Sequence, residues 1–222
     1  MNARKRLKRI ERAKKLVAVL KKMYATPKSE LLYETQFQFV VAVVLSAQCT
    51  DKVVNRVTEK VFSIYKDASD FARVDPALFE RMISSVTFFK NKAKHVIAAA
   101  KIVSDNIGGR VPTTERELLM LPGVGYKTAH VVLGELFQKW DGIPTDTHVK
   151  RFARRFDLSD NLDLKKISKD LEQLVPKKDW KYVNNGLVLY GRYLCPARPH
   201  NCIAHPLTRM WPQAAQRWPK VL

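Results

Sequence analysis

The chain has 222 residues, of which 40 are lysine or arginine and 21 are aspartate or glutamate, so its formal net charge is +19. This length suffices for one or two domains with a real core, and a surface this basic attracts polyanions, nucleic acid first and anionic membrane second. No apolar run reaches about 18 residues, which excludes a membrane span, while the lack of a secretory signal and the scatter of only three cysteines indicate a cytoplasmic protein.

The first 22 residues form a strongly basic segment, with ten lysine or arginine residues against one acid. Apolar residues recur in it at helical spacing, which predicts a basic amphipathic helix that ends at Thr26-Pro27. An organelle transit peptide has a similar pattern, but this segment contains no serine. We expect a docked helix whose basic face is solvated or contacts DNA.

The segment 37–45 is apolar on nearly every side, so periodicity cannot distinguish a buried helix from a buried strand. Gln48 follows it, and from the sequence alone a polar residue at the end of an element is the simplest interpretation. Residues 51–86 predict two or three short helices, with Asp75-Pro76 as a start signal. Because no alternating strand pattern of any length occurs, the predicted fold class is all-α.

Phe88 and Phe89 are adjacent aromatic residues among lysines, in a predicted loop. Rings in such a place can insert into a base stack; the alternative is that one or both pack in the core. An amphipathic helix is predicted next, and Gly108-Gly109 is predicted to end it.

A tight turn is predicted between a helix at 114–120 and a second helix whose apolar face begins at Ala129. The turn contains Gly123, Val124 and Gly125, and its glycines permit a close approach of backbone to a phosphate. The amides that open the second helix then point at that phosphate. This pattern is typical of a helix–hairpin–helix that grips a nucleic-acid backbone; the alternative is an ordinary αα-hairpin.

Two candidate catalytic residues lie at this second helix and shortly after it in the sequence. Lys127 lies in its first turn, where the dipole disfavours a positive charge, so a partly buried lysine there is more often a free amine able to form a Schiff base. Alternatively, Lys127 pairs with the phosphate or with solvent. Asp146 is placed to cap a helix at 147–156, and its carboxylate could also stabilise a cation or accept a proton. His148 and Arg151 on that helix are predicted DNA contacts; their alternatives are a structural role for His148 and a solvated face for Arg151.

Four segments resemble the endonuclease III family of DNA glycosylases, within the helix–hairpin–helix superfamily, in that family's order and near its spacing. They are Leu45 to Asp51, Leu121 to Ala129, Asp146 to His148 and Tyr190 to Cys195. The resemblance implies a helix at 37–45 and two helical domains with a DNA-binding cleft between them. One would be a six-helix barrel at 29–140, with the helix–hairpin–helix at about 114–137. The other would combine 1–28 with 141–222.

The resemblance also implies a bifunctional DNA glycosylase and AP lyase of base excision repair, acting as a monomer on damaged double-stranded DNA. Lys127 would attack the anomeric carbon of an oxidised pyrimidine nucleotide and nick the strand by β-elimination, while Asp146 stabilises the cationic sugar. Gln48 would fill the place of the flipped nucleotide, with Phe88 as a hydrophobic wedge, although the family usually has glycine where this chain has Thr87. The alternatives are a glycosylase for oxidised purine or mismatched thymine, and a non-catalytic DNA-binding module.

Many members of that family hold an iron–sulfur cluster on four cysteines, spaced C-x6-C-x2-C-x5-C. The matching positions here are Cys195, Cys202, His205 and Trp211. Tryptophan is not a metal ligand, so a four-cysteine cluster is excluded and a degenerate loop, 195–211, remains. We expect no cofactor and a loop packed by Trp211 and Trp218. The alternative is a zinc site formed by Cys195, His200, Cys202 and His205.

Overall fold

The computed structural model describes residues 3–217, and every regular element within that range is helical, which confirms the all-α prediction. In chain order the α-helices are α1 (Ala3–Met23), α2 (Gln36–Ser46), α3 (Asp51–Ile64), α4 (Ala68–Arg73), α5 (Pro76–Met82), α6 (Phe89–Asn106), α7 (Glu115–Leu118), α8 (Tyr126–Phe137), α9 (Thr147–Arg155), α10 (Leu164–Leu174), α11 (Leu187–Tyr193) and α12 (Pro206–Met210). A π-helical turn, Tyr182–Gly186, leads directly into α11. Short 3-10 turns lie at Lys177–Asp179 and Pro212–Gln216.

The chain divides into two compact units. The hairpin unit is Ser29–Lys139 and contains α2 to α8; the terminal unit combines Met1–Lys28 with Trp140–Leu222. The hairpin unit thus has seven helices, of which α7 is a single turn, where the resemblance implies six. None of the helices between residues 3 and 217 has the length and apolar character that a membrane span requires.

Helix α2 forms the centre of the hairpin unit. It begins after Thr35, whose side chain forms a capping box with Gln38, and nine of its 11 residues are buried. The ambiguous segment 37–45 is therefore a helix, and its burial agrees with its apolar character on every side. Phe71 of α4 lies nearby, and its ring centroid is 5.7 Å from that of Phe37 and 5.9 Å from that of Phe79.

The predicted short helices between 51 and 86 are α3, α4 and α5. Asp75 caps α5 by accepting a hydrogen bond from the Leu78 amide at 2.7 Å, with proline in the first turn as the sequence indicated. Helix α6 follows and ends near the predicted glycine pair. Both glycines have positive φ, and the Gly109 amide donates to the Val103 carbonyl at 2.8 Å.

The terminal unit has its own apolar core, to which α1 contributes one face. Ala13, Leu16, Val17 and Leu20 are all buried, which confirms the docked amphipathic helix. Arg9 departs from the expected solvated face, because it is only 2% exposed. Its guanidinium lies 2.9 Å from an Asp157 carboxylate oxygen and 2.6 Å from one of Asp160.

Candidate active site

The hairpin turn combines one strained glycine with one open glycine. Gly123 has φ +81, and a Cβ atom placed there would lie 2.9 Å from the Cβ of His95. Gly125 precedes α8 as its N-cap with φ −94, and a Cβ there would meet nothing within 4 Å. Both glycines are exposed, while Val124 between them is buried. The turn therefore presents backbone at its surface and is anchored by the valine.

Lys127 is the second residue of α8 and is exposed, not partly buried as the sequence argument assumed. The apolar face of α8 accounts for this orientation, because Ala129, Val132 and Leu133 are 0% exposed on the side that packs into the core. A lysine at the second helical position lies outside that face. Its amine is consequently accessible to a large substrate that contacts the turn.

Sequence reasoning missed a histidine that joins the two helices of the hairpin. His130 of α8 is 1% exposed, and its Nε2 lies 3.2 Å from a carboxylate oxygen of Glu115 in α7. The ring of Tyr126 packs on it, with centroids 4.3 Å apart. A histidine four residues after a tyrosine is a typical helical pair, but nothing in the sequence indicated its carboxylate partner.

Asp146 is the N-cap of α9, as its position in the sequence predicted. Its Oδ1 accepts hydrogen bonds from the backbone amides of His148 at 2.8 Å and Val149 at 3.0 Å. Its Oδ2 lies 3.3 Å from Nδ1 of His148, and the Asp146 side chain is 15% exposed. The first oxygen is thus fixed by the helix, and the second lies toward the imidazole.

Arg151 and His148 differ in how far they reach solvent. The His148 side chain is 28% exposed, so it is able to contact a ligand. Arg151 is buried, and its guanidinium donates to the carbonyls of Cys195 at 2.6 Å and Gly191 at 3.5 Å. This geometry favours a packing role for Arg151 and contradicts the solvated face that was the alternative for it.

Gly191 of α11 makes the close packing of these side chains possible. A Cβ atom there would lie 2.7 Å from Nη2 of Arg151, 2.8 Å from Cδ2 of His148 and 3.1 Å from Cε2 of Phe152. A real Cβ atom essentially never lies within 3.0 Å of another heavy atom, as it would here with Arg151 and His148, so these side chains pack against α11 as they do because position 191 has no side chain.

Gln48 and Phe88 share an unusual backbone conformation in the hairpin unit. Both adopt left-handed φ, +54 for Gln48 and +59 for Phe88, and both side chains are exposed. Phe88 is 61% exposed, which contradicts the core alternative for this ring, whereas Phe89 packs against the core. We call residues 47–50 and 83–88 the wedge loops. Non-glycine residues in this conformation cluster at functional sites.

The degenerate loop is organised by a buried arginine. Arg155 of α9 is 1% exposed, and its Nη1 and Nη2 donate to the sulfur atoms of Cys195 at 3.1 Å and Cys202 at 3.0 Å. Nη2 also donates to the Ala214 carbonyl at 3.1 Å. Burial raises the pKa of Cys195, although the Arg155 charge opposes that effect.

Trp211 occupies the position of the fourth cysteine and packs with its ring centroid 6.0 Å from that of Phe156. The guanidinium carbon of Arg12 lies 4.2 Å above the indole ring. The predicted contribution of Trp218 lies outside the described residues.

Three of the four residues of the alternative zinc site lie close together. Ligand atoms of Cys195, His200 and His205 are all within 4.8 Å of one another, and Cys202 is not part of this group in the described chain. His200 Nδ1 lies 2.7 Å from the Arg198 carbonyl, which orients its ring. Burial lowers the pKa of His205, and the neighbouring His200 and Arg155 add to that effect.

Comparisons with known proteins match this arrangement over most of the chain. Residues 41–177 match the model of the HhH-GPD superfamily of base excision DNA repair proteins. Endonuclease III of Synechocystis sp. is 40% identical over 95% of this chain and 96% of its own length, and that of Bacillus subtilis is 38% identical over 88% and 89%.

A solved structure shows the same fold with DNA attached. The trapped endonuclease III–DNA covalent intermediate superposes with a TM-score of 0.86 and 32% identity, covering 93% of this chain and 97% of the other. The family model spans more than half of the residues, and relatives of this identity align along nearly their full lengths. The chain therefore belongs to the HhH-GPD superfamily of base excision DNA repair proteins and, within it, to the endonuclease III family.

Proposed function

We propose that the protein is a bifunctional DNA glycosylase and AP lyase that removes oxidised pyrimidines from double-stranded DNA. The observation that carries this proposal is the exposed Lys127 at the start of α8, directly after the two-glycine turn, in a chain 32% identical to an enzyme trapped covalently on DNA. Lesion class, monomeric state and a cytoplasmic location with the nucleoid are parts of the same proposal.

DNA binding begins with phosphates, because a net charge of +19 makes association electrostatic and sensitive to salt. The exposed backbone at Gly123 and Gly125 lies where α8 begins, so its amides and dipole favour a phosphate there. These contacts position the duplex without reading its sequence. One nucleotide is then flipped, while Gln48 and Phe88 fill the space it leaves.

Base removal uses the side-chain amine of Lys127 as the nucleophile. Its nitrogen forms a bond to C1′ of the sugar as the bond from C1′ to the base breaks and the base departs with a proton. The carboxylate of Asp146, with one oxygen held by two amides of α9, stabilises the positive charge that develops on the sugar. We propose His148, adjacent to that carboxylate, as a DNA contact.

Strand cleavage follows from the covalent intermediate. The nitrogen lone pair first breaks the bond from C1′ to the ring oxygen O4′, which takes up a proton, and this leaves a protonated imine between Lys127 and C1′. The imine acidifies C2′, a base removes the C2′ proton, and the electron pair forms the C2′–C3′ double bond as the 3′ phosphate departs. Water then hydrolyses the imine and returns the amine. This second step requires lysine because only an amine nucleophile can form the imine. An enzyme that uses water to hydrolyse the glycosidic bond forms no imine and does not cleave the strand in this way.

Reduction by borohydride tests the nucleophile. The wild-type protein should become covalently attached to a duplex with one oxidised pyrimidine, whereas Lys127→Ala and Lys127→Arg should not. Lys127→Arg keeps the charge that pairs with phosphate but cannot form the imine, so it separates catalysis from binding. Trapping that survives either change would reassign the nucleophile. A wild-type protein that binds the duplex without trapping or base release would be a non-catalytic binding module.

A panel of duplexes that each carry one defined lesion tests the substrate class. We expect oxidised pyrimidines to be released fastest, because that is the class that the resemblance implies. Faster release of an oxidised purine or of thymine from a mismatch would support the alternative glycosylase.

The four-thiolate cluster of the family does not fit this loop. The chain has three cysteines, of which Cys49 belongs to the hairpin unit. The sulfur atoms of Cys195 and Cys202 accept hydrogen bonds from Arg155, and the fourth position is Trp211. We propose that the loop holds no cofactor and that guanidinium and aromatic packing provide its structural support.

Metal analysis of the purified protein checks this proposal. We expect a colourless protein with less than about one tenth of an equivalent of iron and of zinc. Stoichiometric iron with visible absorbance would contradict the proposal outright. Stoichiometric zinc that is lost in His205→Ala would instead assign the site to Cys195, His200 and His205.

A further inference from the structure

A buried lysine connects the two wedge loops of the hairpin unit. Lys92 is 6% exposed, and its Nζ donates hydrogen bonds to the carbonyls of Leu45, at 2.8 Å, and Ala47. Burial lowers the pKa of Lys92, which makes its placement costly unless the carbonyls compensate. A buried cation that the proposed chemistry does not use requires a physical reason.

The carbonyls that Lys92 contacts lie at the C-terminal end of α2. Carbonyls in the last turn of a helix lack intrahelical partners and carry the negative end of its dipole. Ala47 directly precedes Gln48, so the ammonium fixes the backbone from which the Gln48 side chain projects.

The same lysine is also joined to the second wedge loop. Its backbone amide donates to the Phe88 carbonyl at 3.1 Å in the first turn of α6. Gln48 and Phe88 are both exposed residues with left-handed φ. Such a conformation persists only where the surroundings determine it. The amide bond to Phe88 is an ordinary helical bond, but the Lys92 side chain ties the end of α2 to the first turn of α6, which directly follows Phe88.

We propose that Lys92 is a positioning residue that holds the two wedge loops in one fixed arrangement, so that Gln48 and Phe88 enter the duplex together. This inference rests on the proposed function, because the wedge roles of those two side chains belong to it. The Lys92 side chain is buried and bonded to the carbonyls of Leu45 and Ala47, so we assign it no role at the reacting atoms. It acts through the backbone on which the two side chains are mounted.

Amide hydrogen exchange on the free protein tests the coupling of the loops. Lys92→Met keeps the length and apolar stem of the side chain but removes the donors. We expect exchange to accelerate at least about tenfold in both 47–50 and 83–88, while the rest of α2 and α6 is unchanged. Lys101→Met is the matched control, since Lys101 is exposed on the same helix, and it should match the wild type. Unchanged exchange in either wedge loop would overturn the proposal.

A fluorescent duplex tests the consequence for DNA. The probe carries a stable abasic-site analogue with 2-aminopurine opposite it, whose emission rises when the base is unstacked. We expect Lys92→Met to slow this rise about tenfold, with affinity for undamaged duplex within about twofold of wild type. On an oxidised-pyrimidine duplex, kcat should fall about tenfold with KM nearly unchanged. Wild-type unstacking in Lys92→Met would overturn the proposal.

A double-mutant cycle separates positioning from a general structural effect. In a Gln48→Ala, Phe88→Ala background, Lys92→Met should lower kcat no further, because the side chains it positions are gone. A full additional tenfold loss would show that Lys92 acts elsewhere and would overturn the proposal. If the wild-type protein neither traps nor releases a base, the proposed function fails, and hydrogen exchange still decides whether Lys92 couples the loops.

Discussion

The interiors of the hairpin unit and the terminal unit differ in how many cationic side chains they bury. In the hairpin unit the buried side chain of a lysine or arginine is Lys92, whereas the described part of the terminal unit buries Arg9, Arg151 and Arg155. The hairpin unit also buries the polar side chains of Gln38, Thr58 and His130, but most of its core is aliphatic and aromatic. A buried charge is stable only when it is fully bonded, so the terminal unit depends on hydrogen-bond geometry where the hairpin unit depends on packed volume.

The largest expected effect probes packing in the hairpin unit. Phe71→Ala should lower the free energy of unfolding by about 3–5 kcal/mol, because a ring that contacts four other aromatic rings leaves a cavity. Phe88→Ala is the control, since the ring is 61% exposed, and it should change stability by less than about 0.5 kcal/mol. Urea unfolding followed by circular dichroism measures both. Equal effects would mean that burial does not determine their contributions.

The next effect probes hydrogen bonding in the terminal unit. Arg155→Met retains apolar bulk but removes the donors to the Ala214 carbonyl and to both cysteine sulfur atoms. We expect a loss of about 2–3 kcal/mol, because four hydrogen bonds of the buried guanidinium disappear and the Ala214 carbonyl keeps only the bond from the Arg217 amide, at 3.3 Å. All four tryptophans belong to the terminal unit, so tryptophan fluorescence during urea unfolding follows it selectively.

Arg154→Met is the matched control for that experiment. Arg154 precedes Arg155 on α9 but is exposed, so its replacement should change stability by less than about 0.5 kcal/mol. A stable Arg155→Met protein would show that this interior tolerates apolar replacement and would remove the contrast between the units.

The smallest effect depends on pH. Burial alone would raise the pKa of Asp157, but hydrogen bonds and charges from Arg9 and Arg12 lower it overall. A carboxyl with a lowered folded-state pKa contributes stability above its unfolded pKa of about 4 and loses it as the pH falls through the folded value. Asp157→Asn should therefore cost about 1–2 kcal/mol at pH 7 and progressively less below about pH 4.

Asn at position 157 suits the local backbone, because Asp157 has φ +46 and asparagine tolerates the left-handed region. Asp160→Asn is the control, since that carboxylate is 62% exposed and its pairing should contribute less than about 0.5 kcal/mol. A cost of Asp157→Asn that does not change between pH 7 and pH 3 would contradict the electrostatic account. Urea unfolding at each pH measures the difference.

Local pattern was sufficient to predict most helices and their caps. The periodicity of α1, the Asp75-Pro76 start of α5 and the position of Asp146 before α9 all rest on neighbours within one turn. The segment 37–45 required the resemblance, because a helix buried on every side has no polar face to reveal its period.

Long-range partners were beyond prediction. Arg9 belongs to a segment whose basic face was expected to be solvated or to contact DNA, and nothing in the sequence indicated the acceptors of Arg155. In both cases the acceptors come from residues distant in the chain. Lys92 bonds to backbone carbonyls, which leave no trace in a sequence. The left-handed backbone at Gln48 and Phe88 was equally hidden, since glycine is the usual signal for that conformation.

Position 191 sets a limit for anyone who wishes to redesign this enzyme for other lesions. The bare Cα of Gly191 leaves clearance for His148 and Arg151, and the helix that carries them also carries the carboxylate of Asp146. A methyl group there would force the side chains of Arg151 and His148 out of their positions, and the His148 imidazole is the group that lies 3.3 Å from the Asp146 carboxylate. Gly191 has no side chain and performs no chemistry, yet there is no room for a larger residue at its position. Mutant libraries that vary the lesion preference should therefore keep this glycine.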